Sequence, residues 1–158
     1  MSKSMEKQLN KTGMMEVYNE HIKDLLNRGC IEPVSSKEIK EWNNKGGKFS
    51  YISHHPVITA NKVTTRCRIV INSSLKNSGN GPLPNDNWPK GPNALKPMYE
   101  VFVRFHLYEV VVHFDLSKMF HSVQTGEPEK FMRLMVWRDG KQTQEWQVYG
   151  WKVVTFGD

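Results

Sequence analysis

Cysteine is nearly missing from this chain. Only Cys30 and Cys67 occur in 158 residues, in no C-x-x-C pair, which argues against a disulfide scaffold and for free thiols in a reducing compartment. Long apolar runs are also missing: none approaches the ~20 residues of a membrane helix. Met1 to Lys11 is polar and basic without the apolar core of a secretory signal. These absences predict a soluble, unsecreted protein, intracellular in the cytoplasm or nucleus and without a membrane partner. Acidic residues are outnumbered, 16 Asp and Glu against 22 Lys and Arg, for a net charge of +6 and a pI near 9.3. That balance favours polyanionic partners over acidic proteins or neutral metabolites. No internal repeat is visible. What remains, 38% hydrophobic and 24% charged residues, suffices for one modest domain with a core.

Residues 1–13 read as a polar tail. Met14, Tyr18, Ile22 and Leu25 then recur at helical spacing and predict an amphipathic helix over 14–28, ended by Gly29. Ser35 to Phe49 is polar and carries Asn43, Asn44, Gly46 and Gly47, so a loop is expected there. Strand candidates resume at Tyr51, with 56–59 and 66–72 β-branched enough to form an antiparallel pair. Seven Gly and Pro residues between Ser73 and Asn93 exclude regular structure over most of that stretch. Asn93 can cap a helix running to about His106, with Leu95, Met98, Phe102 and Phe105 on one side and Pro97 in its first turn, expected to pack on a sheet. Val110-Val111-Val112-His113-Phe114 is a short apolar run of the kind found in central strands, with Asp115 at its carboxyl end. Finally, 131–138 and 142–149 flank Asp139-Gly140, a hairpin signal, and a last short strand is expected from Trp151 to Thr155. The element order suits an α+β fold, an antiparallel sheet with helices packed on it.

Several blocks together carry a family likeness. YNEHIKDLLNRGCIEPVS at 18–35, YISHHPVI at 51–58, TTRCRIVINSSLKNS at 64–78, GPN at 91–93 and HFDLSKMFHSV at 113–123 stand in an order that resembles the reverse transcriptase of BEL/Pao-type retrotransposons. The likeness covers roughly residues 16–157. It implies the fingers and partial palm of a right-hand polymerase, truncated, with 14–93 mainly fingers and 94–158 the start of the palm. The activity implied is RNA-directed DNA synthesis, with a primer–template and deoxynucleoside triphosphates as partners and Mg²⁺ as cofactor.

By this resemblance Asp115 is the first catalytic aspartate and a metal ligand, and the Leu116 carbonyl is a further ligand. Two Mg²⁺ ions ~3.5–4 Å apart activate a 3′-hydroxyl and stabilise the triphosphate in such chemistry. Taken alone, an Asp after a strand more often caps a turn. Phe120 matches the aromatic that closes over the incoming sugar, although core packing explains such a ring equally well. Arg68, Arg66 and Lys62 match basic finger residues that hold the triphosphate, a role suited to the guanidinium fork; otherwise they line a solvated strand face. His54, His55 and His113, the last sharing a strand face with Asp115, lack further ligands at zinc spacing and are expected to be scaffold or half-buried histidines. Trp137, Trp146, Tyr149 and Trp151 could stack on bases, but cross-strand packing is the commoner use in a hairpin.

The resemblance also has gaps. The Tyr-x-Asp-Asp-like hairpin with the other catalytic carboxylates, the thumb and the ribonuclease H domain find no counterpart in residues 1–158. Asn72 stands where the family's finger motif has aspartate, and Pro82-Leu83-Pro84-Asn85-Asp86 replaces its Ser-Leu-Asn-Asp stretch. The chain is therefore expected to be inactive alone and to bind no Mg²⁺ stably. Self-association through the incomplete palm is expected as well. A non-catalytic nucleic-acid- or partner-binding module, or a part of an active polymerase, are the other readings.

Overall fold

The computed structural model describes residues 2–59, 67–74, 91–138 and 145–155. Within them the chain is α+β with antiparallel sheets. Helix α1 is Ser2–Thr12, α2 Met15–Asn27, β1 Ile31–Pro33, α3 Ser36–Asn44, β2 Ser53–Ile58 and β3 Cys67–Asn72. Helix α4 is Met98–Phe105, a 3₁₀ turn spans Met119–Ser122, α5 is Glu127–Met132, β4 Leu134–Trp137 and β5 Gln147–Trp151.

The expected helix at 14–28 is α2, whose buried Tyr18, Ile22 and Leu25 form the predicted stripe. It ends in a Schellman motif. The Cys30 N–H donates to the Leu25 carbonyl and the Gly29 N–H to that of Leu26, both at 2.9 Å, with Gly29 at φ 67° where a side chain would be strained. The polar segment 1–13 is not a tail but mostly α1. Its Met5 and Leu9, four residues apart, are buried, and the Arg138 guanidinium grips Glu6 through Nε at 2.8 Å and Nη2 at 3.0 Å. Distant partners, not local hydropathy, hold this helix in place.

A helix likewise replaces the loop expected at 35–49. Ser35 Oγ accepts from the Glu38 N–H at 3.2 Å while Glu38 Oε2 accepts from the Ser35 N–H at 2.7 Å, a complete capping box that starts α3. Ile39 faces inward, and the Trp42 ring stacks on Phe131 at 4.7 Å. The Asn and Gly cluster serves only to end it.

Strands β1, β5 and β4 form one antiparallel sheet in that order, and β2 pairs with β3 in a second. The two segments expected to form a hairpin do pair antiparallel, but in another register: a two-residue Asp139-Gly140 turn would set Trp137 opposite Gln142, whereas Met135 faces Tyr149 and Trp137 faces Gln147. Phe131 and Met132, expected in the first strand, belong to α5; Asp139 and Gly140 lie outside the described residues. The strand expected through Thr155 stops at Trp151, with only Val153 bridging on to Gln124. Ser50 to Ile52 ties the sheets together: Leu134 N–H donates to the Ser50 carbonyl at 3.0 Å, and Ile52 N–H to the Leu134 carbonyl at 2.7 Å.

The main core gathers Leu9, Tyr18, Ile22, Leu25, Cys67, Met135, Trp137 and Trp151 from both helices and both sheets. A smaller cluster holds Val34, Ile39, Phe131 and Leu134. Between them Lys130 is buried, its ammonium donating to Glu32 at 2.8 Å and to Glu127 at 3.1 Å. Burial pulls its pKa down, yet the hydrogen bonds to the two carboxylates outweigh this and raise it. Gly150 makes room for that side chain, because a Cβ there would stand 2.7 Å from Lys130 Cγ.

Residues 91–120 depart most from expectation. Helix α4 starts at Met98, not at 94. Asn93 Oδ1 accepts from the Leu95 N–H at 3.1 Å in a local turn, and Lys96, preceding Pro97, is disfavoured in helical backbone. No residue of α4 is buried, so it does not pack on a sheet. Val110 to Phe114 is not a central strand: it lies in no sheet, and its side chains are exposed. A central strand needs neighbours on both edges, and among the described residues none pairs with this run.

Candidate functional site

The finger-like part of the predicted site rests on β2 and β3. Their six-residue antiparallel register sets Val57 opposite Arg68 and Ile58 opposite Cys67. Alternation along β3 buries Cys67 and leaves Arg68 exposed, so the guanidinium is presented to solvent from a strand anchored in the core. Arg66 and Lys62 lie outside the described residues. Asn72, at the end of β3, accepts from the Ser74 N–H through Oδ1 at 3.1 Å, which uses its side chain to shape a turn.

The palm-like part is differently built. Asp115 and Leu116 are exposed in the irregular segment after Phe114, and Phe120 lies in the 3₁₀ turn at 37% exposure. Lys118, just before that turn, takes the left-handed conformation with φ 57°. The turn docks on the end of α2. Arg28 Nη1 stands 3.3 Å from His121 Nδ1, Lys118 Nζ 3.8 Å from Asp24, and Arg28 Nε pairs with Asp24 at 2.9 Å. Burial first, then the charges of Arg28 and Lys118, push the His121 pKa down. Asp115 and Arg68 thus stand on separate elements, one on an exposed segment and the other on a packed strand.

A pair of catalytic Mg²⁺ ions requires several converging carboxylates. Among the described residues no group of three or more His, Cys, Asp or Glu could hold a metal ion. Asp115 with the Leu116 carbonyl does not fit a two-metal centre. The shared strand face expected for His113 and Asp115 is also absent, because neither residue belongs to a strand.

His54 belongs to a buried polar network that the sequence did not disclose. Its Nε2 lies 3.1 Å from the Val136 carbonyl and its Nδ1 2.6 Å from the Tyr18 hydroxyl. A carbonyl only accepts, so Nε2 carries the proton and the tyrosine donates to Nδ1. Neutral imidazole satisfies both bonds, and neither nitrogen is open to a metal. Trp137 packs on this pair at 5.0 Å from the Tyr18 ring and donates from Nε1 to Asn19 Oδ1 at 3.1 Å. Trp146 instead lies under the Arg138 guanidinium at 4.2 Å. The only sequence signal for this network was Tyr18 on a helical stripe.

Burial, followed by the Cys67 thiol, raises the Tyr18 pKa. The His54 pKa is lowered by burial first, with the Val136 bond opposing and His55 adding to the shift. The unfolded chain therefore binds a proton that folded His54 refuses. Its contribution is complete above the ordinary histidine value near 6.5 and is lost as pH falls toward the depressed folded value. Urea midpoints are expected to drop as pH falls below about 6.5. His54→Gln should flatten that dependence by about one proton, and an unchanged slope would contradict the assignment.

Comparison with family models, with curated proteins and with solved structures gives no match. No helix among the described residues is long and apolar enough to cross a membrane.

Proposed function

We propose that this chain is the fingers and first part of the palm of a BEL/Pao-type reverse transcriptase, able to contact nucleic acid but not to polymerise by itself. The observation that carries the reading is the ordered set of blocks from Tyr18 to Val123, each at about the spacing of that family. The antiparallel β2–β3 pair supports it by presenting Arg68 to solvent on a rigid strand, a placement suited to phosphate oxygens. The net charge of +6 adds a nonspecific attraction for a phosphate backbone. A retrotransposon polymerase would take an RNA or DNA primer–template and deoxynucleoside triphosphates in the cytoplasm or nucleus, with Mg²⁺ held by carboxylates of the whole palm. A non-catalytic binding module would use the same arginine, and the exposed apolar side chains of residues 95–123 favour a role that includes a protein partner.

Fluorescence anisotropy with a labelled primer–template tests the binding part of the reading. Affinity should fall as salt rises, and Arg68→Ala should weaken it several-fold while lowering the salt slope by roughly one phosphate contact. Absence of binding at low salt would overturn it.

A further inference from the structure

Helix α1 carries three lysines in register. Lys3, Lys7 and Lys11 follow one another at four-residue steps, which sets them roughly 6 Å apart in a row ~12 Å long. All three are exposed. Lys7 lies two residues from both Met5 and Leu9, ~200° around the helix, so the row occupies the side opposite the buried pair. Met5 and Leu9 in the core and Arg138 on Glu6 fix which side of α1 faces outward. Exposed Ser4, Gln8 and Asn10 flank the lysines.

The charge of this row is uncompensated within the fold. Glu6 is the one acidic residue of α1, and it is buried and bonded to Arg138 at 2.8 Å. Among the described residues none of the three lysines is in an ion pair, whereas Lys37, Lys118, Lys130 and Lys152 each stand 3.8 Å or less from a carboxylate. Like charges four residues apart on a helix repel, and a bound polyanion relieves that repulsion.

We propose that the lysine row of α1 is a nucleic-acid backbone contact, a second phosphate-binding element separate from Arg68. The inference does not rest on the family likeness, which begins at about residue 16, after α1 has ended. Ammonium groups act as point charges, so the row holds phosphates without reading bases and carries no sequence preference. Duplex nucleic acid has one charge per ~1.7 Å of axis, so the ~12 Å row lies along about seven phosphates, more than enough to occupy three ammonium groups. An anionic membrane offers similar charge, but a helix lying in a membrane surface inserts a free apolar face. The apolar face of α1 is already packed in the core through Met5 and Leu9, which favours nucleic acid.

Fluorescence anisotropy of the full chain with a labelled primer–template, repeated across a salt series, tests the row. Combining Lys3→Gln, Lys7→Gln and Lys11→Gln should lower the salt slope by roughly three, one for each phosphate contact, against roughly one for Arg68→Ala. The urea midpoint should stay unchanged or rise, because the substituted positions are exposed and relieved of repulsion. Arginine at the same three positions should preserve both affinity and slope. An unchanged slope in the glutamine variant would overturn the proposal, whatever Arg68→Ala does. A slope that falls in the glutamine variant but not in Arg68→Ala would support the row and count against the finger assignment instead. Co-sedimentation with vesicles of equal parts phosphatidylserine and phosphatidylcholine separates the membrane reading: vesicle binding lost in the glutamine variant while its nucleic-acid binding stays intact would overturn the proposal.

Discussion

Trp137→Ala is expected to destabilise the chain by about 3–5 kcal/mol in urea unfolding, the usual cost of emptying a buried tryptophan site. Trp137 is 1% exposed at the junction of α2, the β2–β3 pair and β4. Its ring contacts Tyr18 at 5.0 Å and His54 at 6.0 Å, and its N–H reaches Asn19. Surroundings drawn from three separate elements collapse poorly into a vacated volume, so the cavity term adds to the lost transfer energy. Against a total of ~5–15 kcal/mol the loss is a large fraction of the stability. Trp137→Phe keeps a ring and gives up the bond to Asn19, so it should cost less, roughly 1–2 kcal/mol. A Trp137→Ala midpoint close to that of the parent would mean that the two sheets are not joined through this residue.

Leu9→Ala is expected to cost about 2–5 kcal/mol, because Leu9 is fully buried under α1 although the surrounding sequence is polar. Leu95→Ala, at 84% exposure, should fall within ~0.5 kcal/mol of the parent. The contrast is informative, since hydropathy alone ranks residues 95–114 as core and residues 1–13 as tail. Equal costs for the two substitutions would contradict the partition into a packed body and an exposed segment.

Local signals were legible wherever local physics decides. The stripe Tyr18, Ile22, Leu25 with Gly29 behind it contains its own start, face and stop, and α2 follows it almost residue for residue. Alternation at 67–72 gave an antiparallel partner that the structure pairs, and the segments around Asp139-Gly140 do pair antiparallel, but five residues away from the register of a two-residue turn. Ser35 and Glu38 carried a readable capping box, outweighed by the Asn and Gly residues that follow. Helix α1 was not legible, because Arg138, more than a hundred residues away, clamps Glu6. Val110 to Phe114 failed for the opposite reason. Its composition is that of a buried strand, but burial depends on neighbours that no local window contains. Of the candidate site, Arg68 and its exposed strand face were accessible to alternation. The Tyr18–His54–Trp137 network was not, since it joins residues 18, 54 and 137 only through the tertiary fold.

The central proposal is that the residues aligned with a polymerase site offer Arg68 for phosphate contacts and one exposed carboxylate, Asp115, while the described residues hold no group of three or more metal-ligating side chains of the kind that nucleotidyl transfer requires. Primer extension by the purified 158-residue chain on an RNA template, with Mg²⁺ and all four deoxynucleoside triphosphates, tests it most directly. No added nucleotide is expected at any enzyme concentration. Template-dependent extension that disappears in Asp115→Asn would contradict the account.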